Sequence, residues 1–202
     1  MNDLFENSGL ERLPIDDAEV LLQRGIDLGK PYALLIDKLI EVTSWRQQEI
    51  KIYGKKYLQP RLSAWYGNEA YSYSGILLKP QPWTEALLEL KHRVESIIGH
   101  QFNSVLLNYY RDQNDSMGMH SDDESELGKQ PVIASLSLGE ERSFLLRHKY
   151  RKDIKTIKLL LSSGSLLVMK GDTQSYWKHG IAKASKPCGP RVNLTFRNIR
   201  RI

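Results

Sequence analysis

His120, Ser121 and Asp122 stand together, and His179 lies far downstream in Tyr176-Trp177-Lys178-His179-Gly180. On an extended segment, side chains at i and i+2 point the same way, with Cα atoms about 6.6 Å apart. A histidine and an aspartate at that spacing can grip one metal ion, and His179 can close the third corner from a neighbouring strand. Two histidines and one carboxylate on one face leave coordination positions open, the arrangement found in non-haem Fe(II) oxygenases. The tripeptide alone is a weak signal, because His-x-Asp recurs by chance.

The last strand strengthens it. In Arg191-Val192-Asn193-Leu194-Thr195-Phe196-Arg197, one face carries Arg191, Asn193, Thr195 and Arg197, and the other carries Val192, Leu194 and Phe196. A polar face with arginine at both ends is costly inside a barrel unless an anion sits against it. Such a strand spans roughly 20 Å and each arginine side chain reaches roughly 7 Å, so the two guanidinium groups can converge on something about 6 Å long. A short dicarboxylate fits that gap, and the planar guanidinium fork suits a carboxylate. Asn108 and Tyr110, again at i and i+2, can add neutral hydrogen bonds from a facing strand.

The elements that must carry these residues follow from periodicity. Residues 1–15 read as an irregular lead-in. Asp16 to Leu28 is expected to be an amphipathic helix with Asp16 or Asp17 as its N-cap, broken at Gly29-Lys30-Pro31. Tyr32 to Ile40 is helix or buried strand. Arg61–Tyr66 and Tyr71–Leu78 are expected as two strands joined by a turn at Gly67-Asn68. Trp83 to Ile98 is the clearest helix, with Trp83, Leu87, Leu90, Val94, Ile97 and Ile98 at helical spacing and Gly99 as its stop. After Gly99 the period becomes two. The candidate strands are Ser104–Arg111, Val132–Leu138, Ser143–His148, Thr156–Leu161, Ser165–Met169, Tyr176–Gly180 and Arg191–Ile199. The expected fold is mostly β with flanking helices, a sandwich or barrel of jelly-roll type with the metal inside its mouth.

The chain has 202 residues, enough for one domain with a small N-terminal appendage, and 41% of them are hydrophobic. The net charge of +5 leans towards a polyanionic partner such as nucleic acid. Cys188 is the one cysteine, which excludes an internal disulfide framework and argues against a cysteine-based zinc site. No apolar run approaches the ~20 residues needed to cross a bilayer, so no membrane partner is expected. No signal peptide is visible. The location that fits is the cytoplasm, or the nucleus in a eukaryotic cell, and the expected state is a monomer.

These motifs resemble the AlkB-type Fe(II)- and 2-oxoglutarate-dependent dioxygenases. They are Asn108-x-Tyr110, His120-Ser-Asp122-Asp-Glu124, Ile133-Ala-Ser-Leu-Ser-Leu-Gly139, Gly164-Ser-Leu-Leu-Val-Met169, His179 and Arg191-Val-Asn-Leu-Thr-Phe-Arg197. Pro60-Arg61-Leu-Ser-Ala-Trp-Tyr-Gly67 and Tyr71-Ser-Tyr-Ser-Gly75 also match. The resemblance covers residues 45–200 and is strongest to the branch that repairs alkylated nucleic acid. It implies a double-stranded β-helix (jelly roll) dioxygenase core in residues 45–202 with nucleic-acid-binding loops, and leaves 1–44 as a partly helical N-terminal extension.

The resemblance implies that His120, Asp122 and His179 hold Fe(II), and that Arg191, Asn193, Thr195, Arg197, Asn108 and Tyr110 hold 2-oxoglutarate. Oxidation of 2-oxoglutarate by O2, giving succinate and CO2, is then coupled to hydroxylation of an N-methyl group, and the product loses formaldehyde. N1-methyladenine and N3-methylcytosine are cationic, so a carboxylate near the base edge favours them, and Glu124 is placed in that role. Their methyl groups are hidden in a duplex, so the base must be extruded or the strand single. Tyr73, or Tyr71, would stack on the extruded base, and Tyr53 would fill the gap left behind. The stretch Arg147-His148-Lys149-Tyr150-Arg151-Lys152 resembles a phosphate-contacting hairpin, with Arg61, Lys183 and Lys186 as further contacts. The partner is alkylated DNA or RNA. Two alternatives remain open: the same chemistry on RNA or protein, and a damaged-base binding module without turnover. The intact triad and both arginines argue against a pure binder, which needs no open metal position.

Overall fold

The two-residue period that begins after Gly99 is realised as strands. The computed structural model describes residues 9–52, 55–68, 71–73, 76–78 and 80–200. In chain order its elements are β1 (Glu11–Arg12), β2 (Glu19–Gln23), α1 (Tyr32–Val42), β3 (Glu49–Ile52), β4 (Lys55–Leu58), β5 (Leu62–Gly67), β6 (Tyr71–Tyr73) and β7 (Ile76–Leu78). Then come α2 (Glu85–Ile98), β8 (Ser104–Tyr110), β9 (Met117–His120), a 3-10 turn (Ser125–Leu127), β10 (Ile133–Gly139), β11 (Arg142–His148) and β12 (Ile157–Leu161). The chain closes with β13 (Ser165–Lys170), α3 (Thr173–Tyr176), β14 (Trp177–Ile181) and β15 (Arg191–Arg197).

Two antiparallel sheets form the jelly roll. The larger runs β1-β2-β13-β10-β15-β8-β5 and the smaller β12-β11-β14-β9. The central strands of the larger sheet, β2, β13, β10 and β8, divide their apolar side chains between two cores. Val192, Leu194 and Phe196 turn outward and pack with Leu35, Ile36 and Leu39 of α1 and Leu87, Leu90 and Val94 of α2. Tyr110, Ile133, Leu167 and Met169 turn inward and meet Phe144, Leu146, Trp177 and Ile181 of the smaller sheet. The order of layers is therefore helices, large sheet, small sheet, and the polar face of β15 looks into the space between the sheets.

The helix at residues 85–98 and the strands after Gly99 match the periodicity, except β9, which no candidate strand covered. Thr84 caps that helix by accepting from the Leu87 amide, and Gly99 ends it at φ 67°, a left-handed conformation that glycine adopts without a Cβ penalty. Several expectations are corrected. The segment Asp16–Leu28 is not a helix; it contains β2, which pairs with β13 from Glu19 against Lys170 to Gln23 against Leu166. Its unbroken run Val20-Leu21-Leu22 is buried on both faces, as in a strand enclosed within a sheet. Gly67-Asn68 is no hairpin turn either. β5 pairs with β8, and a Cβ on Gly67 would lie 2.8 Å from the Asn103 carbonyl oxygen, so the glycine serves close approach rather than chain reversal. β6 and β7 pair with each other, Tyr71 against Leu78 to Tyr73 against Ile76.

Position 44/45 falls between α1 and β3. The chain before it supplies β2 to the large sheet and α1 to the outer core. Among the described residues, no helix is long and apolar enough to cross a membrane.

Candidate active site

His120 ends β9, where it pairs in register with His179 of β14. Asp122 follows just beyond the strand. The three side chains converge between the sheets, with potential ligand atoms all within 4.8 Å of one another. The His120 and His179 rings lie 4.3 Å apart, centre to centre. Asp122 Oδ1 is 3.7 Å from His120 Nε2, and Oδ2 is 3.9 Å from His179 Nε2. His120 Nδ1 is 3.0 Å from the Gly118 carbonyl oxygen. A carbonyl can only accept, so that nitrogen carries the proton and Nε2 keeps its lone pair for a metal. Phe144 stacks on His179 at 5.4 Å.

The electrostatics hold these groups in their ligand-competent forms. Burial pushes His179 down to about 3 and also lowers His120, so both rings stay neutral at physiological pH. Burial would raise Asp122, but Arg197, then His179 and His120, hold it at about 2. Arg197 Nη2 donates to Asp122 Oδ1 at 2.9 Å. Metal binding requires neutral imidazole and ionised carboxylate, and Asp122 Oδ2, wholly buried, makes no hydrogen bond. This donor set, two nitrogens and a carboxylate with an orphaned oxygen, fits Fe(II).

The register of β15 places the rest. Arg191 lies opposite Tyr110, and Asn193 opposite Asn108. Asn108 and Tyr110 thus sit beside β15 in the same sheet, not on a facing strand. Arg191 is 1% exposed. Its Nη2 donates to Ser137 Oγ at 2.9 Å and its guanidinium covers the Tyr110 ring at 5.1 Å. Its Nε and Nη1 make no hydrogen bond within the described residues. Burial lowers the Arg191 pKa. A buried cation with two vacant donors is stabilised by an incoming carboxylate. The cavity it faces is also lined by Asn108, His120, Asp122, His179 and Arg197, so the vacant donors and the triad open onto one space.

Asn108 is 1% exposed, and its Oδ1 accepts from Arg61 Nε at 2.7 Å. That bond orients the amide so that its NH2 donors remain for the cavity. Asn193 and Thr195 line the same cavity, yet their donors are committed. Asn193 Nδ2 donates to Ser135 Oγ and the Leu136 carbonyl, and Thr195 Oγ1 donates to Asn193 Oδ1. These bonds tie the polar face of β15 to β10 along the cavity wall.

On the substrate side several expectations change. Arg61 is 5% exposed and held by Asn108 and the Ser116 carbonyl, so it is not a surface phosphate contact. Lys149 donates to Asp123 and to the Gln174 carbonyl. Arg151 is paired with Asp16 and Asp153. Both hairpin cations are therefore already matched by protein oxygens, whereas Arg147, Lys152, Lys183 and Lys186 are exposed. Glu124 is half-buried just beyond the metal-ligand pair. Tyr71 and Tyr73 lie on β6, where the backbone alone is described, and Tyr53 lies outside the described residues.

Sequence reasoning passed over Ser135, Ser137, Phe144 and Gln174. The two serines were findable, because they alternate with Ala134, Leu136 and Leu138 on the inward face of β10. Phe144 and Gln174 belong to no motif, and only the folded chain brings them to the site.

Residues 30–197 match the family model described as the 2OG-Fe(II) oxygenase superfamily. The chain is 40% identical over 194 residues to the alpha-ketoglutarate-dependent dioxygenase alkB homolog 3 of Homo sapiens, covering 92% of this chain and 68% of that protein. To the Mus musculus protein of the same name it is 43% identical over 173 residues, covering 82% and 60%. To the DNA oxidative demethylase ALKBH2 of Bos taurus it is 38% identical over 172 residues, covering 81% and 62%. The chain thus spans about three fifths to two thirds of these relatives. A solved structure titled "The structure of OsALKBH1" superposes with a TM-score of 0.61 at 16% identity, over 94% of this chain and 99% of that one, a likeness of fold.

Proposed function

Because the chain belongs to the 2OG-Fe(II) oxygenase superfamily and to its AlkB-type dioxygenases, we propose that it oxidatively demethylates N1-methyladenine and N3-methylcytosine in DNA, with RNA as the alternative substrate. The observation that carries this is the placement of His120, Asp122 and His179 in one cavity with buried Arg191, whose Nε and Nη1 are vacant. Relatives named DNA oxidative demethylase support nucleic acid as the substrate.

Iron bound by the triad, with 2-oxoglutarate and O2, would supply the oxidising power to hydroxylate an N-methyl carbon, giving succinate and CO2. The hydroxymethyl group then leaves as formaldehyde and the base is restored. The protein's own part is positioning. His120 presents Nε2 because Gly118 fixes its other nitrogen. Arg197 keeps Asp122 ionised and turned towards the histidines. Arg191 takes the distal carboxylate of 2-oxoglutarate through its vacant donors, and Asn108 adds its NH2. The carboxylate of Glu124 favours the cationic, methylated bases over the neutral normal ones. Arg147, Lys152, Lys183 and Lys186 are the exposed cations free to follow a phosphate backbone.

The test is mass spectrometry of methylated single- and double-stranded oligonucleotides, DNA and RNA, incubated with Fe(II) and 2-oxoglutarate. The expected result is restored bases with matching formaldehyde and succinate. Tight binding of the methylated strand with no methyl loss would replace this reading with that of a damaged-base binder.

A further inference from the structure

The β9–β14 ladder ends at the His120–His179 pair, so Asp122 lies past the last strand partner. Strand pairing fixes the two histidines against each other, but it does not fix the carboxylate. Asp122 is wholly buried, and a buried backbone N–H needs a partner. That partner is Gln174, whose Oε1 accepts from the Asp122 amide at 2.9 Å. Gln174 is itself 2% exposed, with its Nε2 against Met169 Sδ at 3.6 Å.

Gln174 sits on α3, the single turn that leads into β14 and His179. The turn is anchored on both sides. Thr173 Oγ1 accepts from the Glu19 amide at 2.9 Å and donates to the Lys170 carbonyl at 2.6 Å. Lys149 Nζ donates to the Gln174 carbonyl at 2.7 Å and to Asp123 Oδ2 at 3.1 Å. A second bond joins the same two segments, from Ser121 Oγ to the Trp177 carbonyl at 2.9 Å. The segment bearing His120 and Asp122 is thus tied to the segment bearing His179 at a point beyond the reach of the ladder.

We propose that Gln174 is a positioning residue for the metal centre, holding Asp122 where its carboxylate meets both histidines. The proposal rests on the iron-site reading above. Gln174 is not among the residues that line the cavity. It acts through the Asp122 backbone, and losing such an outer partner typically weakens metal affinity 10–100-fold.

The test uses metal-free full-length protein titrated with Co(II), followed by calorimetry and by the visible absorption of the bound ion, with no turnover needed. Gln174→Met removes the acceptor at similar volume, and is expected to bind Co(II) 10–100-fold more weakly with an altered band. Gln174→Asn, too short to reach, is expected to do the same and serves if the methionine variant does not fold. Gln174→Glu keeps an acceptor oxygen at full reach and is expected to recover most of the affinity. Leu90→Ala, a cavity in α2 away from the metal, is expected to lower stability and leave Co(II) binding unchanged. Wild-type affinity and spectrum in Gln174→Met would overturn the positioning role alone. Equal losses in all the variants, Leu90→Ala included, would overturn it too, by showing general destabilisation. A wild-type chain that binds no Co(II) would instead remove the iron site itself, and this inference with it.

Discussion

Arg191 and His179 are the two residues whose surroundings make the sharpest predictions. Arg191 offers two vacant donors in a buried cavity. A hydrogen bond to a charged group contributes about 1.5–3 kcal/mol, so Arg191→Met should weaken 2-oxoglutarate binding by about tenfold or more. Thermal-shift titration of the metal-loaded protein reads this directly, and an unchanged ligand-induced shift would take Arg191 out of the co-substrate site. His179 is held neutral to about 3 by burial, whereas in the unfolded chain it takes up a proton near 6.5. Only the unfolded state gains that proton as the pH falls below 6.5. Stability is therefore full above that value and should drop by about 1.4 kcal/mol per pH unit below it. Asp122, depressed to about 2, adds a further loss below the ordinary carboxylate range. Urea midpoints of metal-free protein at pH 7.5, 6 and 5 should fall in that order. Equal midpoints would mean that His179 is not held neutral.

At the scale of elements, the β11–β12 connection separates cations that look alike in sequence. Lys149 and Arg151 are matched by Asp123, Asp16 and Asp153, whereas Arg147 and Lys152 extend into solvent. A phosphate must displace a carboxylate to reach the first pair and only water to reach the second. Arg147→Ala and Lys152→Ala should each reduce the slope of log affinity for single-stranded oligonucleotide against log salt by about 0.7. Arg151→Ala should change it less. Fluorescence anisotropy over a salt series distinguishes them, and the reverse ranking would place the backbone against Arg151.

At the scale of the whole molecule, residues 9–44 contribute to the core. Val20 and Leu22 fill the space between the sheets, while Leu21, Leu35, Ile36 and Leu39 pack under the helices. Burying each such side chain contributes about 1.5–3 kcal/mol, and the sum is comparable to the whole stability of about 5–15 kcal/mol of a typical domain. Removing residues 1–44 would also uncover the edge of β13, an invitation to aggregation. A chain beginning at residue 45 should therefore fail to fold cooperatively. A sharp thermal transition by circular dichroism in that chain would show the N-terminal segment to be dispensable.

Local pattern was sufficient wherever one face of an element is apolar and the other polar. The alternation in Arg191–Arg197 already assigns Val192, Leu194 and Phe196 to one core and the arginines to the opposite face, and the spacing of Leu87, Leu90 and Val94 already makes a helix. The His120–Asp122 pair with His179 was equally legible, because metal ligation restricts residue type and spacing. Pattern misled where burial is two-sided or where a partner comes from elsewhere in the chain. Val20-Leu21-Leu22 has no alternation to read, since β2 is covered on both faces. Arg61 and Arg151 look like free cations until Asn108 and Asp16, distant in sequence, meet them. The Asn193 amide, which the sequence leaves unpartnered, is taken up by Ser135 of β10. Sequence by itself singled out His120, Asp122 and His179 as one ligand set, because metal ligation limits residue type and spacing. Tertiary structure decided which donors remain vacant, because a hydrogen bond is allotted only when distant strands come into register.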